Sequence, residues 1–259
     1  MNIRRSMLLG LTLAAFVPCA PALADTVTVT YYNIAENDQD ANHLATGIFD
    51  NEVQTALGAN GLPVLNTTAF GCSSMCYATG GAPTDVLGDG EITYWSPALN
   101  NGGAGGTSDV TQTGTAVVPL PFNVPSNFFP PNGTGSSDNN GFMAATLSAT
   151  LIAGSTEQIS FNIGADDMAF AYLDGQVVCD LGGVHADTAG TCVTPFDITA
   201  GDHSLEVFFV DINNVQSGLT FGINTTDVTT GNPVPEPFTL SLFGVGLAGA
   251  AAMRRRKKA

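Results

Sequence analysis

The 259-residue sequence carries 7 Lys+Arg against 23 Asp+Glu, a formal net charge of −16. Every basic residue lies at an end (Arg4, Arg5, and Arg254 through Lys258), so residues 25–253 have only His43, His185 and His203 as basic side chains. This excludes nucleic acid as a partner, because phosphate binding needs Lys or Arg, and it leaves the body's carboxylates to be solvated, hydrogen-bonded or metal-bound. A one-signed field also concentrates divalent cations, although solubility alone accounts for such a charge.

In chain order, residues 1–24 read as a secretory signal. Arg4 and Arg5 precede an apolar run from Met7 to Val17, and Ala22-Leu23-Ala24 offers a small-x-small cleavage site before Asp25. The body follows at 25–224. Thr26 to Tyr32 alternates and is β-branched, which predicts a strand. Thr46 to Leu57, with Ile48, Phe49, Val53 and Leu57, is read as a short helix. Residues 66–83 form a loop, Glu91 to Trp95 a short strand, the Gly-rich 100–109 a flexible loop, and 123–140 a long loop.

From Gly141 onward the strands sharpen. They are expected at Phe142 to Ile152, Gln158 to Ile163, Met168 to Leu173, Gln176 to Asp180, Thr194 to Ile198, Ser204 to Val210 and Leu219 to Asn224. Asp174-Gly175 between two alternating runs predicts a tight hairpin, since both turn positions need positive φ. Residues 225–233 read as a polar linker. The expected class is mainly β, a sandwich or barrel with long loops.

The tail, 234–259, reads Pro235-Glu236-Pro237, an apolar run from Phe238 to Met253, and the basic cluster. The run is about the length of a short membrane helix, and the basic cluster would remain cytoplasmic. These three features in this order resemble the PEP-CTERM sorting signal. The resemblance implies export after signal peptidase cleavage and transient inner-membrane anchoring through a C-terminal hydrophobic helix. An exosortase-type transpeptidase would then cut near Pro235, Glu236 and Pro237. It further implies delivery to the cell surface, outer membrane or extracellular matrix of exopolysaccharide-making bacteria. A permanent C-terminal anchor is the competing reading.

Cys19 leaves with the signal, and Cys72, Cys76, Cys179 and Cys192 remain. An even number in an oxidising compartment suggests two disulfides. Three pairings are open, of which Cys72–Cys76 with Cys179–Cys192 is the simplest. The spacing does not suit a zinc site.

Asp166-Asp167 is the most distinctive pair. Neighbours on a strand point to opposite faces, so acting together requires a strand end or an unusual peptide. The pair lies in a run from Phe161 through Asp174-Gly175, continued by Asp180-Leu181-Gly182-Gly183-Val184-His185, Gly201-Asp202-His203 and Phe208-Phe209. Phe128-Phe129-Pro130 and Asn140-Gly141-Phe142 precede it. The whole resembles the fibro-slime domain, related to the protective-antigen-type barrel of flocculin-like adhesins. The resemblance implies a cis-linked aspartate pair that binds Ca2+. Asp211, Asn213 and Asn214 after Val210 would add ligands, and sugar hydroxyls would complete the shell. Met168, where relatives often carry a small residue, departs from the pattern.

Elsewhere, Trp95 with Tyr94 is a candidate sugar-stacking surface, although a single Trp is more often core. His185 is a candidate ligand-contacting residue, although a lone His in a Gly turn is more often structural. Asp38-x-Asp40-x-Asn42 opens like an EF-hand loop, but His43 and Phe49 stand where Gly and Glu are needed. No catalytic motif is present, and no enzyme activity is expected. The expected function is a calcium-assisted, adhesin-like module that binds carbohydrate or exopolysaccharide. The alternatives are a structural matrix protein and, more remotely, a secreted polysaccharide hydrolase.

Overall fold

A computed structural model describes residues 25–38, 40, 47–48, 51–66, 84–103, 105–124, 141–187, 192, 194–213, 217–224 and 228–231. The signal segment, the sorting tail with its expected helix, and Cys72 and Cys76 lie outside the described residues. Among the described residues no helix is long and apolar enough to cross a membrane.

Among the described residues, twelve strands form the framework: β1 Thr26–Ile34, β2 Val110–Pro119, β3 Phe122–Val124, β4 Phe142–Ala153, β5 Glu157–Ile159, β6 Phe161–Asp166, β7 Met168–Leu173, β8 Gln176–Leu181, β9 Phe196–Ile198, β10 Gly201–Asp211, β11 Gly218–Ile223 and β12 Val228–Gly231. The large sheet runs β2-β1-β4-β10-β7-β8, with β12 also paired to β4. A three-stranded sheet, β3-β11-β6, and a β5-β9 pair complete the fold.

β4 organises the large sheet. One edge of it pairs with β10 along its length, from Met143–Asp211 to Ala153–Gly201. The other edge is shared end to end, with β1 on Phe142–Ser148 and β12 on Thr150–Ala153.

Strict alternation along these strands feeds two cores, one on each face. Leu147, Ala171, Val207 and Phe209 point toward Phe161, Ile163, Leu219 and Phe221 of the small sheet. Phe142, Phe170, Tyr172, Phe208 and Val210 point the other way, toward Val53, Leu62, Leu65, Ile92 and Trp95. Burial on both faces explains why β7 is apolar at every position.

The expected β class holds, as a sandwich-like arrangement; the barrel is corrected. β2 and β8 are the two ends of the large sheet's strand order and are not paired with each other. The small sheet therefore packs face to face on an open one. β2 suits an edge, since its side chains alternate toward solvent and Val117 is 62% exposed.

Three local expectations also change. Residues 51–57 are not helical: Val53 bridges Leu65, Ala56 bridges Gln176, and the Val53 side chain is drawn onto the sheet's outer face. Glu91 and Ile92 make single bridges to Val64 and Val86 rather than a strand. The stretch read as a linker contains β12, whose Val228 is 2% exposed and joins the core.

The hairpin at Asp174-Gly175 forms as expected. φ is 50° at Asp174 and 73° at Gly175, and Leu173 pairs with Gln176. Cys179 and Cys192 are joined by a disulfide, with Cα atoms 5.4 Å apart.

Candidate functional site

Asp166 ends β6 in the small sheet, opposite Gly218 of β11. Met168 begins β7 in the large sheet, opposite Val210 of β10. Asp167 is the single residue between them, so the pair sits where the chain crosses from one sheet to the other. The Asp166–Asp167 peptide bond is cis.

Asp167 is 1% exposed and Asp211 is fully buried. The Ile212 amide donates to Asp167 Oδ2 at 2.9 Å, and the Asn213 amide donates to Asp211 Oδ1 at 3.2 Å. Burial pushes the Asp167 carboxyl up to about 7. The Ile212 amide opposes that shift, and the neighbouring Asp166 charge adds to it. Asp166, Asp167, Asp211 and Asn213 therefore gather at one junction, whereas Asn214 lies outside the described residues. Ser217, fully buried, precedes Gly218, the β11 residue that pairs with Asp166.

Trp95 is elsewhere. It is 3% exposed, its indole Nε1 donates to the Phe209 carbonyl at 2.7 Å, and its ring packs edge-on against Phe170 and Phe208. The stacking-surface expectation is corrected. A large ring with an internal hydrogen-bond partner is more stable in the core than on the surface. Tyr94, 5% exposed, is buried beside it.

His185 follows β8. Its Nδ1 lies 3.1 Å from the Ala186 carbonyl, and burial holds its pKa down. Asp187, two residues on, accepts from the Thr220 hydroxyl of β11 at 3.1 Å. The structure thus seats His185 on its own turn.

A second acidic group was only half visible in the sequence. Asp38, just after β1, Asp85, and Asp109, just before β2, bring carboxylate oxygens within 4.8 Å of one another. Asp38 is 8% exposed and Asp85 is 1% exposed. Burial, followed by the nearby Asp38 and Asp109 charges, pushes Asp85 up to about 9. Asp40 supports the group: its Oδ2 accepts the amides of Thr84 and Asp85. Asp38 and Asp40, the opening of the failed EF-hand pattern, thus take part in a site assembled from distant segments. The spacing of the first two acids was the signal in the sequence.

The PEP-CTERM protein-sorting motif matches residues 233–257, which indicates an exported, cell-surface-associated protein handled by an exosortase and signal peptidase. No curated protein matches the chain. Among solved structures, the chain aligns with a PA14 sugar-binding domain from an RTX adhesin at 13% identity and TM-score 0.35, covering 81% of this chain and 100% of that one. It aligns with the epithelial adhesin 9 A domain from Candida glabrata, in complex with Galb1-3GlcNAc, at 11% identity and TM-score 0.34, covering 80% and 85%. A β-glucosidase from Kluyveromyces marxianus aligns at 13% identity and TM-score 0.32 over 43% of this chain, which spans 14% of that enzyme.

Proposed function

We propose that this protein is a surface or matrix module that binds extracellular carbohydrate at the Asp166–Asp167 junction with the help of calcium. The observation that carries the reading is Asp167, a carboxylate 1% exposed in a body without Lys or Arg. A buried anion is held by hydrogen bonds, by a metal or by taking up a proton, and the Ile212 amide does not offset the burial of this one.

The donors gathered there fit calcium. The Asp166, Asp167 and Asp211 carboxylates and the Asn213 side chain all offer oxygen, the ligand of hard cations, and no Cys or His is among them. Asp166 and Asp167 would hold the ion from the inter-sheet crossing, and the loop after β10 would hold it from the other side. A bound calcium supplies open positions for sugar hydroxyls. The Ile212 amide fixes the Asp167 carboxylate in place, and burial keeps water from competing for it. The fibro-slime-like run around the pair supports the same assignment, and the sorting motif supports an extracellular polysaccharide as the partner.

The test is a glycan array probed with the purified full chain in calcium and in chelator. Calcium-dependent hits that disappear in Asp167→Asn support the reading. Binding indifferent to both the chelator and the substitution would falsify it.

A second reading, a structural component of an exopolysaccharide matrix, is favoured by the sorting motif alone. It predicts retention in the matrix with no glycan hits. Neither reading includes catalysis; release of sugar ends from a polysaccharide by the purified chain would reopen the hydrolase alternative.

A further inference from the structure

We infer that Asp38, Asp85 and Asp109 form a second site for a hard divalent cation, separate from the Asp166–Asp167 junction, that ties the end of β1 to the segment covering the outer face of the large sheet. The three residues come from three stretches of chain. Asp38 follows β1, Asp85 lies in the 84–103 cover segment, and Asp109 leads into β2, whose Val110 pairs with Ile34 of β1.

Oxygens bound to one calcium at 2.3–2.6 Å stand no more than about 5 Å apart. The three carboxylates already meet that limit, each offering an oxygen within 4.8 Å of the others. The distance condition for a shared coordination sphere is therefore met.

A second observation makes this more than a cluster of acids. Asp85 is 1% exposed, and its Oδ2 is buried without a hydrogen-bond partner. Both carboxylate oxygens of Asp109 are likewise buried and without a hydrogen-bond partner. Buried carboxylate oxygens in native proteins are hydrogen-bonded or metal-bound. Here, among the described residues, no hydrogen bond of normal geometry is made to these three oxygens, and the carboxylates converge.

The surroundings orient the acids without neutralising them. The Asn100 side-chain amide donates to Asp85 Oδ1 and to the Thr93 hydroxyl, while its carbonyl oxygen accepts the Asp109 amide at 3.0 Å. Asp40 fixes Asp85 from the other side through two backbone amides, and the Asp40 amide donates to Asp38 Oδ1 at 2.6 Å. Asn100 and Asp40 are positioning residues. An all-oxygen, carboxylate-rich set of this kind selects a hard cation over zinc or copper.

The test is calcium titration of the chelator-stripped full chain by calorimetry, with metal content measured directly. Asp167→Asn is nearly isosteric and removes the junction site from the count. In that variant about one ion per chain is expected to remain, with a calcium-induced rise in Tm. Adding Asp85→Asn, or independently Asp109→Asn, is expected to abolish both. An Asp167→Asn chain that binds no calcium overturns the inference. So does retention of the remaining ion in folded Asp85→Asn and Asp109→Asn chains. If wild type binds one ion that Asp85→Asn loses and Asp167→Asn keeps, this site stands and the calcium reading of the junction fails.

Discussion

Gly102 lies directly against the carboxylate of Asp85: a Cβ at Gly102 would overlap both carboxylate oxygens. Gly58 stands in the same relation to Glu91, and Gly182 to Glu52. Three of the buried acids are thus packed against backbone that no side chain can share.

Gly102→Ala is therefore expected to destabilise the fold by about 1–3 kcal/mol, the usual cost of overpacking a filled site. Gly154 is the control, because a methyl group added there would meet nothing within 4 Å and its φ is not positive. Gly154→Ala should be neutral or slightly stabilising. Chemical denaturation of the two variants separates these outcomes.

Glu52 sets a pH dependence. Burial, then the Asp180 charge, raises its carboxyl to about 8, against the Gly183 amide. The folded chain then keeps a proton that the unfolded chain releases near pH 4.5. This contribution to stability falls as pH rises from there to about 8 and levels off above it. Glu52→Gln should remove that part of the slope and be the more stable protein at pH 8. The gain is bounded by about 1.4 kcal/mol per pH step separating the unfolded from the folded value. Asp85 and Asp167 are raised in the same direction, so the quantity to measure is the difference between variant and wild type across pH.

His203 and Asp174 tie the β7–β8 turn to the start of β10 through a 2.6 Å contact. The hydrogen bond to Asp174 raises the His203 pKa. Burial alone would raise Asp174, but the bonds from His203 and Ser204 bring it below its ordinary value. The histidine contribution is complete below about pH 6.5 and fades as pH rises through the raised folded value. The carboxylate contribution is complete above about pH 4 and fades on acidification. Asp174→Asn keeps the left-handed turn that Asn tolerates. It should cost less than about 1 kcal/mol, because the Asp174 end of the pair is exposed to solvent, and the loss should be confined to the window between those values. Denaturation of variant and wild type at several pH values checks it.

Reduction of Cys179–Cys192, which closes a loop of sequence separation 13, should lower stability by about 2–3 kcal/mol. Denaturation with and without reductant measures it, and Cys192→Ser should reproduce the reduced protein.

Trp95 is the single tryptophan. Its core position predicts blue-shifted emission, protection from aqueous quenchers, and a red shift on unfolding. Added sugar should leave the emission unchanged; a sugar-dependent change would return the residue to the binding surface.

The strands of the second half were legible because alternation and the Asp-Gly turn are local: Met168–Leu173 and Gln176–Leu181 need only their own residues to pair. β2 and β12 were missed because Thr-rich, polar stretches become strands only when an edge is offered to them, here by β1 and β4. The 51–57 segment spaced its apolar residues ambiguously, and contact with Leu65 and Gln176 decided against a helix.

By itself the sequence determined the charge distribution, the sorting address and the β class, since these reside in composition and short-range order. Tertiary structure alone decided that Trp95 is core and that the sheet stays open. It alone brought Asp38, Asp85 and Asp109 to one point. Burial and convergence depend on which distant segments fold over one another, and no local pattern of side chains encodes that.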